Sequence, residues 1–170
     1  GTAGVFGAAV GSGRILGLDG PTMNMALGQA GTYAAGVREV FGSHSKPMHA
    51  ARAASNGLQA AYLARYDFTG ADDILGGRRG FWEVLSPNGH SEEALLKNIG
   101  IEWEIRNNGL KPYANGVVSH PIQDAVIALR NEHRLSAENV ASIEARVHPL
   151  VLELMNNPEP RRGLEGKFSF

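Results

Sequence analysis

Two periods run through the hydrophobic and polar positions of the chain, one helical in the first third and one alternating in two short stretches of the last third. Thr2 to Leu16 reads as a helix rich in Ala and Gly. After the Gly17-Leu18-Asp19-Gly20 turn, Pro21 stands where a first-turn proline belongs, and Met25, Leu27, Ala30, Tyr33, Ala34 and Val37 continue at helical spacing to about Val40. The stretch from Lys46 to Tyr66 repeats the logic, with Pro47 in its first turn and Leu58, Ala61, Tyr62 and Leu63 on its apolar side. These helices predict a tight bundle.

Beyond Asp67-Phe68-Thr69-Gly70 the texture changes. Short apolar pieces at Ile74-Leu75 and Phe81-Trp82 are broken by glycines, and Ser86-Pro87-Asn88-Gly89 is a strong turn signal. Ile101 to Arg106 alternates apolar and charged residues as a half-buried strand or extended linker does, and Ile143, Ala145 and Val147 alternate with Glu144, Arg146 and His148 as a second strand. Pro121 opens a helix whose apolar face, Ile122, Ala125, Val126 and Leu129, asks for a sheet to cover it. The pattern therefore predicts a mostly α chain with an α+β part. A boundary is expected between residues 90 and 112, drawn here as 1–100 helical and 101–170 α+β.

Composition narrows the function classes. The 170 residues are 43% hydrophobic, enough for a real core, and 16 Lys+Arg against 17 Asp+Glu leave a net charge of −1. No positive field is available to hold a phosphate backbone, so nucleic acid is not an expected partner. With no Cys there is no disulfide, Cys-type zinc site, iron–sulfur cluster or Cys nucleophile, which fits a cytoplasmic setting. No run of about 18 apolar residues and no signal-peptide pattern occurs, so neither a membrane span nor export is expected. Half of the 22 glycines fall in the first 42 residues. Glycine is unfavourable in a helix by about 1 kcal/mol relative to alanine, so their presence there points to close helix-on-helix approach. The chain begins Gly1-Thr2-Ala3-Gly4 and closes on Lys167-Phe168-Ser169-Phe170, an apolar, strand-like end; both ends read as parts of something longer.

Chemical groups concentrate in two places. Ser43-His44-Ser45-Lys46-Pro47-Met48-His49 precedes and opens a helix, where unpaired N–H groups and the helix dipole favour anions. A lysine and histidines added to such a terminus can bind a carboxylate or move a proton, and Lys46 and His49, three apart, share a helix face. The structural alternative has Ser45 as a cap, Lys46 solvated and His49 packed. The second cluster is Lys111-Pro112-Tyr113-Ala114-Asn115-Gly116 with Ser119-His120-Pro121. His120, beside a helix-starting proline, titrates in the range useful for acid–base work; its alternative is a loop histidine satisfied by backbone. His90, His133 and His148 carry no metal-ligand spacing, Gly11-Ser12-Gly13 with Gly17 has the wrong spacing for a dinucleotide loop, and no bound cofactor is indicated.

In order, Gly42-Ser43-His44-Ser45-Lys46-Pro47-Met48-His49-Ala50-Ala51-Arg52-Ala53-Ala54, Asn56-Gly57-Leu58, Phe68-Thr69-Gly70, Lys111-Pro112-Tyr113-Ala114, Ser119-His120-Pro121-Ile122-Gln123-Asp124-Ala125 and Lys167-Phe168-Ser169-Phe170 resemble the MmgE/PrpD family. That family includes 2-methylcitrate dehydratase, cis-aconitate decarboxylase and iminodisuccinate epimerase. The resemblance implies an all-helical domain and a smaller α+β domain with the active site between them, homodimers, and cofactor-independent chemistry on small di- or tricarboxylates. It implies Lys46 and His120 as catalytic residues, either of which serves as the base, with Ser45 and His49 supporting substrate binding. Ala51 and Asn115 stand where the family often has glycine and cysteine. The family's upstream histidine-proline-threonine segment and its tyrosine after Lys-Phe-Ser are not in this sequence.

Removing a proton beside a carboxylate builds charge on a group that is already negative, so such a site pairs a base with fixed positive charge. Lysine, histidine and a helix N-terminus suit that task. The leading expectation is a piece of a lyase, most like the hydro-lyase 2-methylcitrate dehydratase of propionate metabolism. The alternatives are a decarboxylase or epimerase of the same family, and a non-catalytic remnant that folds or dimerises.

Overall fold

The computed structural model describes residues 1–86, 88–155 and 157–169. Local sequence chemistry sets the first helices. α1 (Gly4–Leu16) stops at Gly17, whose φ of +73° lets its N–H bond back to the carbonyls of Arg14 and Gly13. α2 (Gly20–Thr32) starts on Asp19, whose carboxylate accepts from Thr22 N at 2.9 Å, with Pro21 in the first turn. α3 (Ser45–Arg65) is the longest, at 21 residues. The helix expected to reach Val40 stops at Thr32 instead; Tyr33 N and Ala34 N turn back to Ala30 O and Gly31 O, Gly36 at φ +151° bars a helix through it, and Arg38–Val40 form a separate 3₁₀ turn.

By contact the described chain divides into two compact units, one of Gly1–Glu39 with Ser45–Trp103, the other of Val40–His44 with the chain from Glu104 onward. The first is a bundle of α1, α2 and α3. Its core is Val5 and Ala9 of α1, Ala30 of α2 and Ala53 and Ala60 of α3, with Phe6, Tyr33 and Ala34 packed against it. Val5 is its bulkiest fully buried side chain, worth about 1.5–3 kcal/mol. Cohesion comes instead from close backbone approach. A Cβ added to Gly57 would meet Ala8 Cβ, and would lie 2.6 Å from Ala9 N and 2.7 Å from Val5 O, so α3 crosses α1 where only glycine fits. The expected helix-on-helix approach is seen at Gly57, whereas Gly28 and Gly31 admit the 70–74 loop and Gly7 and Gly11 face open space.

Side chains of α2 tie the following loop down, Asn24 Nδ2 donating to Asp72 O at 2.8 Å and Gln29 Nε2 to Thr69 O. α4 (Phe81–Leu85) then places Phe81 edge-on to Phe6 at 5.1 Å, and α5 (Glu92–Leu96) is capped by Ser91. The turn expected at Ser86-Pro87-Asn88-Gly89 closes through Gly89 N to Ser86 O at 2.9 Å; Pro87 lies outside the described residues.

The second unit holds α6 (His120–His133), α7 (Pro149–Leu154) and α8 (Gly163–Gly166). Its buried side chains include Val151 and Met155 together with Ser119 and His120. Phe41 stacks on Phe168 at 4.9 Å, and Gly116 N donates to Lys167 O at 3.0 Å. A side chain on Gly116 would collide with Met155 Sδ, which fixes the approach of the 111–116 loop to the end of α7.

The α+β expectation is corrected here, because no strand occurs among the described residues. Ile101–Arg106 is a turn running into a 3₁₀ helix at Glu104–Asn107, with Ile101 and Ile105 each 76% exposed. Residues 141–148 take no regular structure, and Ile143 is exposed. Alternation marks two faces, but a strand forms only where another backbone supplies ladder hydrogen bonds, and no described segment does. The face of α6 that asked for a sheet instead borders an apolar groove of about 470 Å³ lined by Val126, Leu129, Leu135, Val140 and Ile143. The strand-like ending is also corrected: Phe168 and Ser169 turn back to Glu165 O and Gly166 O, and Phe170 lies outside the described residues.

Candidate functional site

The first cluster sits on the opening turns of α3, with Ser45 its first residue and Lys46 its second. Both are exposed, and each is engaged within the protein. His49, one turn on, is half-buried, and a Cβ built on Gly36 would sit 3.1 Å from its Cε1, so the imidazole lies over the Gly36 backbone. His49, Arg52 and Asn56, at i, i+3 and i+7 of one helix face, line a cavity of about 90 Å³ with Tyr33. Sequence reading singled out His49 but not Arg52 or Asn56, although the helical spacing carried the signal.

The second cluster is built around the start of α6. Ser119 Oγ donates to Gly116 O at 2.8 Å and accepts from Gln123 Nε2 at 3.0 Å, so a fully buried hydroxyl is satisfied on both sides. Lys111 Nζ donates to Asn115 O at 3.0 Å, closing the loop on itself. His120 follows Ser119 and is 6% exposed. Its Nε2 is buried without a hydrogen-bond partner, as is Asn115 Oδ1. Buried polar atoms are ordinarily paired, since leaving one unmade costs about 1–3 kcal/mol, and a catalytic role is one of the reasons for an exception.

Tyr113 packs edge-on to the His120 ring, centroids 5.2 Å apart and planes at 79°. Its hydroxyl donates to Asp124 Oδ1 at 2.5 Å. That hydrogen bond, which only the protonated phenol can donate, raises the Tyr113 pKa above its ordinary value, with desolvation and the Asp124 charge adding to it. The sequence places Tyr113 in the second cluster and Asp124, four residues after His120, in a family-resembling motif, and gives neither a role of its own.

Thus Ser45, Lys46 and His49 stand together on α3, and Tyr113, His120 and Asp124 stand together around α6, with Lys46 and His120 in different units. Three of the other histidines lie beside identifiable neighbours. His90 stacks on Trp82 at 5.3 Å, His133 lies 4.0 Å from Glu132, and His148, expected at a strand end, caps α7 by accepting from Leu150 N at 3.1 Å. Among the described residues no group of three His, Cys, Asp or Glu side chains is arranged to hold a metal ion. No helix among them is long and apolar enough to cross a membrane.

Comparison with known proteins agrees with the motif series. Residues 1–94 match the MmgE/PrpD N-terminal domain and residues 113–170 match the MmgE/PrpD C-terminal domain. Cis-aconitate decarboxylase of Homo sapiens is 25% identical over 174 aligned positions, covering 98% of this chain and 35% of the relative. Cis-aconitate decarboxylase of Mus musculus is similar to the same extent. The chain thus spans about a third of the length of these relatives, and with matches across both of its halves it belongs to the MmgE/PrpD family.

Proposed function

We propose that this chain is part of a cofactor-independent lyase acting on a small di- or tricarboxylate. The observation that carries the reading is the buried His120 imidazole, whose Nε2 has no partner within the protein, in a chain of this family. His120 moves the proton, and Lys46 holds a substrate carboxylate and offsets its developing charge; Ser45 and His49 assist binding at the helix opening. In the dehydration reading, as in 2-methylcitrate dehydratase, a base takes the proton beside the carboxylate, a C=C bond forms, and the hydroxyl takes a proton from an acid and leaves as water. The second reading is favoured by the names of the similar proteins: a carbon–carboxylate bond breaks, carbon dioxide leaves, and the acid protonates the carbon left behind. A cytoplasmic homodimer belongs to the same proposal.

The test is an assay of the 170-residue chain on 2-methylcitrate, citrate and cis-aconitate, following alkene absorbance and carbon dioxide release. Turnover that depends on Lys46 and His120 is the expected result, and the product separates dehydration from decarboxylation. A folded chain without turnover contradicts the enzyme reading for this chain and favours a non-catalytic remnant.

A further inference from the structure

We infer that Tyr113 and Asp124 form a pair that positions the His120 imidazole, an inference that rests on the proposed proton-moving role of His120. A buried imidazole whose Nε2 has no hydrogen bond lacks at that nitrogen the tether that would ordinarily fix its ring rotation. The Tyr113 ring, edge-on at 5.2 Å, supplies a wall in its place. Tyr113 lies in the loop before α6, and a ring on a loop holds its neighbour only if it is itself held. Its hydroxyl reaches Asp124 Oδ1 at 2.5 Å. Asp124 is one helical turn after His120 on α6, so the ring meets the first residue of the helix and the hydroxyl meets the fifth. The wall and the ring it orients thereby share one rigid reference.

Two further bonds steady the loop, Lys111 Nζ to Asn115 O and Gly116 N to Lys167 O, both at 3.0 Å. A phenol is protonated across the neutral range at its ordinary pKa of about 10, and the shift at Tyr113 is upward, so Tyr113 remains a donor to Asp124. Asp124 is exposed and Tyr113 half-buried, and the bond between them holds the ring that faces His120.

The experiment is NMR of the 170-residue chain carrying ¹³C-labelled histidine, reading the ring C–H resonances of His120, which sense the Tyr113 ring current. Tyr113→Phe and Asp124→Ala are expected to move these resonances in the same direction, with the double variant moving them no further than the larger single change. Asp124→Asn, which keeps an acceptor oxygen, is expected to stay near wild type. The resonances of His133 and His148 report whether the fold of this unit is unchanged. His120 resonances at wild-type positions in a folded Asp124→Ala variant, or shifts that add in the double variant, would overturn the proposal. With a turned-over substrate, Asp124→Ala is expected to lower kcat by roughly 10- to 100-fold at unchanged KM. A chain without turnover would count against the lyase reading alone, since the resonances report the pair independently of activity.

Discussion

The two units solve different problems with the same element, the α-helix. In the first, small residues pack three helices closely, and α3 meets the backbone of α1: Val5, Ala9, Ala30 and Ala60 are fully buried, and the Gly57 crossing admits no side chain. In the second, buried positions are partly polar, with Ser119 and His120 among them, and two of their neighbourhood's polar atoms, Asn115 Oδ1 and His120 Nε2, lack partners. A close-packed bundle thus carries the groups at the opening of α3. A polar interior with unpaired atoms is less stable and chemically available. The close-packed bundle thus belongs to the unit that carries Lys46, and the unpaired buried polar atoms to the unit that carries His120.

The largest way to break that division is chemical. Lys46→Ala and His120→Ala are each expected to lower turnover on the polycarboxylate substrate by roughly 100- to 10,000-fold, the usual yield of a positioned acid–base or charged group, with circular dichroism unchanged. Next is Gly57→Leu, which forces α3 away from α1. It is expected to destabilise the first unit by roughly 3 kcal/mol or more, read by urea unfolding; an unchanged midpoint would mean that the bundle does not depend on this crossing. Ser119→Ala removes the link between Gly116 O and Gln123 and is expected to destabilise the second unit by about 1–2 kcal/mol, seen as faster amide exchange at the start of α6.

The smallest effect concerns the cap of α2. Hydrogen bonds from Thr22 hold the Asp19 pKa below the usual carboxylate value. A depressed folded-state pKa stabilises above the unfolded value, and that contribution is lost as pH falls through the depressed one. Asp19→Ala should therefore lower the melting temperature slightly near neutral pH and leave it unchanged in strong acid. An equal loss at both pH values would show that the carboxylate charge is not what caps the helix.

The helices were legible because their signals are local. Period, Gly17 and Pro21 give the stop of α1 and the start of α2, and Pro121 gives α6 to within a residue. The early end of α2 was not legible, since Tyr33, Ala34 and Val37 keep the helical period while Gly36 breaks the backbone. The strands were misread for a different reason. Alternation at Ile143, Ala145 and Val147 specifies faces, whereas a ladder partner is a property of some other segment. Likewise the site's residue types were visible at Lys46, His49 and His120, but the Tyr113–Asp124 bond needs the loop folded back onto α6, which no spacing encodes.

The proposed acid–base chemistry of this chain on a small polycarboxylate centres on His120 and Lys46. The most direct measurement is turnover of cis-aconitate, citrate and 2-methylcitrate by the 170-residue chain, with His120→Ala and Lys46→Ala beside it. The account predicts turnover in the parent and its loss by orders of magnitude in both variants. A folded parent without turnover, or variants that keep the parent rate, would contradict it.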